Sequence, residues 1–141
     1  MTKSALIYPV LVQAALTFAL LFWMGYVRNV AVRSGRVRLK DIALGQSAWP
    51  DRVTQISNCY LNQFQLPVLF YAGVAFAMIL GQVGTVLLAL AWAFVALRVV
   101  HAAIHTTSNN VPRRFYAFLS GALVLSAMWL LLGVRLLSEG L

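Results

Sequence analysis

The chain has 141 residues, of which 62% are hydrophobic and only 10% charged, and its mean hydropathy is +0.83. An ordinary soluble domain carries about 25% charged residues, so this composition excludes a soluble fold and makes lipid the expected solvent. The net charge of +8 would suit nucleic acid, but the positive residues gather in one connection between apolar runs, where they read as membrane topology.

Four apolar runs follow in chain order, at about 5–27, 60–80, 83–105 and 115–137. Each approaches or exceeds the roughly 20 residues a helix needs to cross a bilayer core. Continuous apolar runs without strand alternation select helices over a barrel. The first run is too long for a signal-peptide core and reads as a span that stays. It carries Gln13 and Thr17, one turn apart, for which helix packing is the default. The connection 28–56 holds Arg28, Arg33, Arg36, Arg38, Lys40 and Arg52 against only Asp41 and Asp51. Gly81-Gln82-Val83-Gly84 makes a tight hairpin of the second and third runs. The stretch 106–112, rich in Thr, Ser and Asn and closed by Pro112, is a second break. The expected fold is an all-α membrane protein, one domain over 1–141, built as a four-transmembrane-helix bundle. Positive residues favour the cytoplasmic side, so the long connection and the Arg113-Arg114 break face the cytoplasm and both termini lie outside. Lys3 and Arg135 are the cations left on the outer face. Trp23, Tyr26, Trp49, Tyr60 and Tyr116 fall near the cytoplasmic boundary as an aromatic belt. The single cysteine, Cys59, rules out an intramolecular disulfide and a multi-cysteine metal site, and it reads as a small buried hydrophobe.

Polar residues inside spans are expensive, so their positions carry information. Gln55, Asn58, Asn62 and Gln65 recur in steps of three, four and three, which places them on one helical face. That face serves either interhelical hydrogen bonding or a ligand-lined cleft. Arg98, His101 and His105 share a face of the third span. Arg98 alone is compatible with snorkelling to the boundary. The two histidines have the i, i+4 spacing of metal ligands, but Asp41, Asp51 and Glu139 lie outside the spans and supply no third ligand. Arg113 and Arg114 open the fourth span, where the helix dipole is positive. A cation there suits an anchor or a bound anion. Together these residues describe a cationic, amide-lined pocket at the cytoplasmic boundary, open to a small anion and to an apolar partner from the lipid.

Three segments resemble the MAPEG family, the membrane-associated proteins of eicosanoid and glutathione metabolism, and among them its bacterial members. They are Ser34-Gly35-Arg36-Val37-Arg38-Leu39-Lys40, the stretch from Asn58 through Asn62-Gln63-Phe64-Gln65-Leu66-Pro67 to Tyr71, and Arg98-x-x-His101-x-x-x-His105 followed by Arg114. The hydropathy plan matches along nearly the whole chain. The resemblance implies a homotrimer in the bacterial inner membrane, with glutathione as co-substrate bound between subunits near the cytoplasmic side. It implies that Arg38, Asn62, Gln65, Arg98, His101 and His105 line the glutathione site and that Arg114 stabilises the thiolate. The sequence departs from the family at three places: Gln65 stands where glutamate is usual, His105 where tyrosine is frequent, and Phe115 where some members have a hydroxyl.

Two functions follow as expectations. One is a glutathione-dependent transferase or peroxidase acting on lipophilic electrophiles or lipid hydroperoxides. The other is a non-catalytic protein that binds lipid or a small anion, or serves as an accessory subunit of a larger membrane assembly. A cation transporter is disfavoured, because no acidic residue sits in any span.

Overall fold

The computed structural model describes residues 3–43 and 48–138. Glu139, the side chain of Lys3 and loop positions 44–47 lie outside the described residues. The described chain forms α1 (Ile7–Arg33), α2 (Asp51–Leu61), α3 (Leu66–Ile79), α4 (Thr85–Thr106) and α5 (Val111–Ser138), with short 3-10 turns at Lys3–Leu6, Leu39–Asp41 and Asn62–Phe64. Taken together as spans, Ser4–Arg33, Asp51–Ile79, Thr85–Thr106 and Val111–Ser138 are each long and apolar enough to cross a membrane.

The long connection is shorter than its composition suggests. Helix α1 runs past Val27 to Arg33, and α2 begins at Asp51 rather than beyond Ile56. What remains folds back on the end of α1, where Val37 and Val53 are buried against Ala31, with Ile42 and Trp49 packed beside them. The aromatic belt is held by its own cations. The Arg28 guanidinium lies 5.0 Å from the Trp49 ring centre and that of Arg52 5.3 Å from Trp23, a contact that lets a charge rest on an apolar surface.

The second span is two helices rather than one. Pro67 has no N–H to continue the ladder, and it restricts the residues before it. It sits in the first turn of α3, where no intrahelical acceptor is needed. The backbone passes from α2 through the Asn62–Phe64 turn and leaves the helical basin at Gln65, with ψ −106°. The expected single amide face therefore does not survive as drawn. Gln55 turns to the end of α4, Asn58 is exposed, and Gln65 lies beyond the break.

Helix α5 starts at Val111, so Arg113 and Arg114 lie inside its first turn. The Asn110 side-chain oxygen caps it by accepting the Arg113 N–H at 3.0 Å. At the other end of the molecule α3 stops at Gly81, whose φ of +70° a side chain disfavours. There the Gln82 N–H closes on the Ala77 carbonyl at 2.8 Å.

Helix α4 is the centre of the bundle. It packs along α5 and also contacts α1 and α2, while α3 lies against α5. Its buried residues Leu87, Ala91, Phe94, Val95, Arg98, His101, Ala102, His105 and Thr106 fall at steps of three and four, the period of one helical face. The apolar half of that face joins Phe70, Val74 and Ala77 of α3 and Leu125, Met128 and Leu132 of α5 in the main core. The Phe70 and Phe94 rings stack at 4.7 Å. The α3–α5 approach depends on Gly73, where an added Cβ would lie 2.7 Å from Met128 Cε and 3.3 Å from Trp129. Overpacking of a tight core typically costs about 1–3 kcal/mol. Because a flexible methionine end yields first, Gly73→Ala should destabilise the protein near the lower end of that range. A lower unfolding midpoint in mild detergent would register it.

Candidate functional site

The buried face of α4 changes character as it nears the helix end. Phe94 and Val95 give way to Arg98, His101 and His105, all still buried. Arg98 is only 1% exposed and lies about 12 Å along the axis from the end of α4 at Thr106. Insertion of an arginine near mid-membrane costs about 2.5–3.5 kcal/mol, so the surroundings must offer it something. The break in the second span does so. Arg98 Nη2 donates to the Asn62 side-chain oxygen at 2.6 Å and to the Asn62 carbonyl at 3.2 Å. In a continuous helix that carbonyl would be directed along the axis toward the next turn. Asn62 Nδ2 in turn donates to Gln65 Oε1 at 2.8 Å. Arg98 therefore does not snorkel to the boundary. Its Nε and Nη1 have no hydrogen-bond partner among the described residues, nor do the Nδ1 atoms of His101 and His105.

Across from this face stands the first turn of α5. Asn62, Gln65, His101, Val111, Arg114, Phe115 and Phe118 line an open cavity of about 260 Å³. The His101 and His105 rings meet edge to face at 5.5 Å, and His101 lies 6.0 Å from Phe118. Arg114 Nη1 donates to Asn109 Oδ1 at 2.5 Å. Among the described residues no group of three histidines, cysteines or carboxylates is placed to hold a metal ion. A separate, larger apolar groove of about 770 Å³ lies between α3 and α5, lined by Leu66, Leu69, Leu125, Trp129 and Leu130 among others, and its Leu66 follows the cavity's Gln65 in the chain.

The end of α4 is held from α2. Gln55 Nε2 donates to the His105 carbonyl at 2.7 Å, and Arg52 Nη1 donates to the Thr106 carbonyl at 2.5 Å and to Gln55 Oε1 at 3.1 Å. These bonds satisfy carbonyls that a helix C-terminus leaves open and fix the point from which the turn to α5 departs.

Of the residues expected at the site, Asn62, Gln65, Arg98, His101, His105 and Arg114 gather at this end of the bundle. Arg38 does not join them within one protomer. Its side chain is 70% exposed and bonded to Asp41 at 2.7 Å. Cys59 is fully buried, packed with Leu20 and Ala102. Gln13 bonds Gln63 across helices at 3.0 Å, which is the packing role expected of it. Two residues with roles at the site were not singled out from the sequence. Arg52 reads there as one loop charge among six. Asn109 reads as part of a polar break, although an asparagine pair just before a proline-containing helix start is a signal for a left-handed turn and a cap.

Removing the Asn62 side chain leaves a buried guanidinium with one backbone acceptor. Hydrogen bonds to charged groups are worth about 1.5–3 kcal/mol, so Asn62→Ala should lower unfolding stability in detergent by that amount. Asn62→Asp, which offers a charged acceptor in the same place, should recover it.

A family model, that of the MAPEG family, matches residues 6–134, nearly the whole chain. No curated protein and no solved structure matches it. The match spans all four membrane-length helices and every residue around the cavity, and the chain belongs to the MAPEG family of membrane proteins of glutathione and eicosanoid metabolism.

Proposed function

We propose that the protein is a glutathione-dependent transferase or peroxidase acting on lipophilic electrophiles or lipid hydroperoxides. The observation that carries this reading is the set of unsatisfied donors at one end of the bundle. Arg98 is buried with two guanidinium nitrogens unpartnered, and Arg114 lines the cavity beside Asn62 and His101. A small anion rich in carboxylates and amides is the ligand that such donors fit, and glutathione is one. Arg98 would hold a carboxylate, and Asn62, Gln65, His101 and His105 would orient the peptide. Arg38 would hold a second carboxylate only from a neighbouring subunit, which accords with a homotrimer whose sites lie between chains. Arg114 would lower the pKa of the thiol. A free thiol has a pKa of about 8.5, and a shift of two units needs roughly 2.7 kcal/mol, within reach of a guanidinium at a helix N-terminus. Bound glutathione supplies a sulfur nucleophile that forms a C–S bond to an electrophile as the leaving group departs, or attacks a peroxide O–O bond to release the alcohol, after which a second glutathione completes the two-electron reduction to give water and glutathione disulfide. The apolar groove between α3 and α5, whose Leu66 adjoins the cavity's Gln65 in the chain, would give the lipophilic partner its route. The concentration of arginines at this end favours the cytoplasmic face of an inner membrane, with both chain ends outside.

A second reading, a non-catalytic protein that binds lipid or a small anion, draws on Gln65. It supplies no charge for an amino group, and its side-chain oxygen is already taken by Asn62.

The two readings separate in one experiment. Purified protein in detergent is mixed with glutathione, and thiolate absorbance is followed together with conjugation to an aryl halide and reduction of an organic hydroperoxide. The enzyme reading expects wild-type activity above background and a loss of at least about tenfold in Arg114→Ala, roughly 1.4 kcal/mol in the barrier, with the oligomer intact. Wild-type rates equal to the uncatalysed reaction would favour the second reading.

A further inference from the structure

Three arginines show two ways of holding a cation. Arg38, outside the cavity, is paired with a carboxylate, that of Asp41. Arg114, which lines the cavity, and Arg98, bonded to the cavity-lining Asn62, are held by amide oxygens, those of Asn109 and Asn62. The distinction matters electrostatically. A carboxylate fixes a guanidinium and cancels its charge, whereas an amide oxygen fixes its direction and leaves the charge for a ligand.

Asn109 is built for this task. It is the one described non-glycine residue with positive φ, at 48°, in the left-handed region that asparagine tolerates better than most side chains. Its N–H closes on the Ile104 carbonyl at 2.8 Å, so its backbone is pinned to the end of α4. The Arg52–Gln55 pair holds that same end. From this fixed point its side chain reaches forward across the turn to Arg114. The neighbouring Asn110 has a separate duty, capping the backbone of α5 through Arg113. With Nη1 engaged, the Arg114 guanidinium has one bonded edge toward Asn109, and its remaining donors belong to a side chain that lines the cavity.

We infer that Asn109 is a positioning residue for Arg114, a neutral acceptor that aims the guanidinium at the bound ligand's anionic atom without neutralising it. The inference rests on the proposed role of Arg114 for its consequence in catalysis, but the positioning itself does not require glutathione.

The test uses two variants and two readouts on the full-length protein in detergent. Asn109→Gly keeps the left-handed backbone and deletes the acceptor. Asn109→Asp keeps the geometry and adds a charge. With arginine nitrogens labelled, the wild-type spectrum should hold a slowly exchanging guanidinium signal that vanishes in Arg114→Lys and in Asn109→Gly but persists in Asn109→Asp. With glutathione bound, Asn109→Asp should raise the thiol pKa by about one unit, which for a thiol of pKa about 6.5 is a roughly threefold loss of thiolate at neutral pH. A mere turn residue would leave that titration where it was. An Arg114 signal unchanged in Asn109→Gly overturns the inference whether or not glutathione binds. A thiol pKa equal in wild type and Asn109→Asp overturns it where the wild type ionises glutathione. A wild type that ionises glutathione no more than free solution does counts against the proposed function alone, and the guanidinium signal then decides the role of Asn109.

Discussion

The contact between Arg98 and Asn62 is the constraint around which this end of the bundle is organised. A guanidinium that is almost wholly buried in an apolar helix cannot be left to itself. Its partner comes from the one place in the second span where the helical ladder is interrupted. The interruption coincides with Pro67, whose missing N–H would have bonded the Gln63 carbonyl in a continuous helix and whose ring disfavours helical geometry just before it. At the turn that precedes it the Asn62 carbonyl and side chain both reach Arg98.

That contact leaves Arg98 half satisfied, and the remainder of the site follows from this. Two of its nitrogens and two imidazole nitrogens have no hydrogen-bond partner among the described residues. Arg114 adds a second cation at the cavity that Asn62 and His101 also line, and no carboxylate is among the described residues that line it. A native fold rarely tolerates several unsatisfied buried donors unless something else meets them. The fold thus gathers positive charge at one end of the bundle, with a separate apolar groove nearby between α3 and α5.

The four spans and the buried face of α4 were legible in the sequence because both depend on local periodicity. Leu87 through His105 repeat at helical spacing, and a run of 20 apolar residues has few alternatives in lipid. The site was legible in its members and less so in its wiring. Asn62, Arg98, His101 and Arg114 are recognisable because polar groups in a span are conspicuous. Their pairing depends on a change of helical phase at residues 62–65, which a uniform helical wheel misses, and that wheel also put the exposed Asn58 on the site's face. Arg52 and Asn109 act through contacts made between helices or across a turn, and no spacing rule along one helix reveals these. The folding of the long connection onto Ala31 through Val37 and Val53 was equally hidden, since its charges outnumber the few side chains it buries.

The broken second span has a further consequence for how the protein is made. It is the least apolar of the four, because α2 carries the amides and charged residues that serve α4. Lipid alone rewards its insertion least, and although Gln63 and Ser57 meet Gln13 and Arg28 of α1, Gln55 and Asn62 find their partners only after α4 has been synthesised. Biogenesis should therefore retain this segment at the insertion machinery until the third span arrives, and the pair should leave together as a hairpin. The same amides that organise the finished site thus impose an order on its assembly.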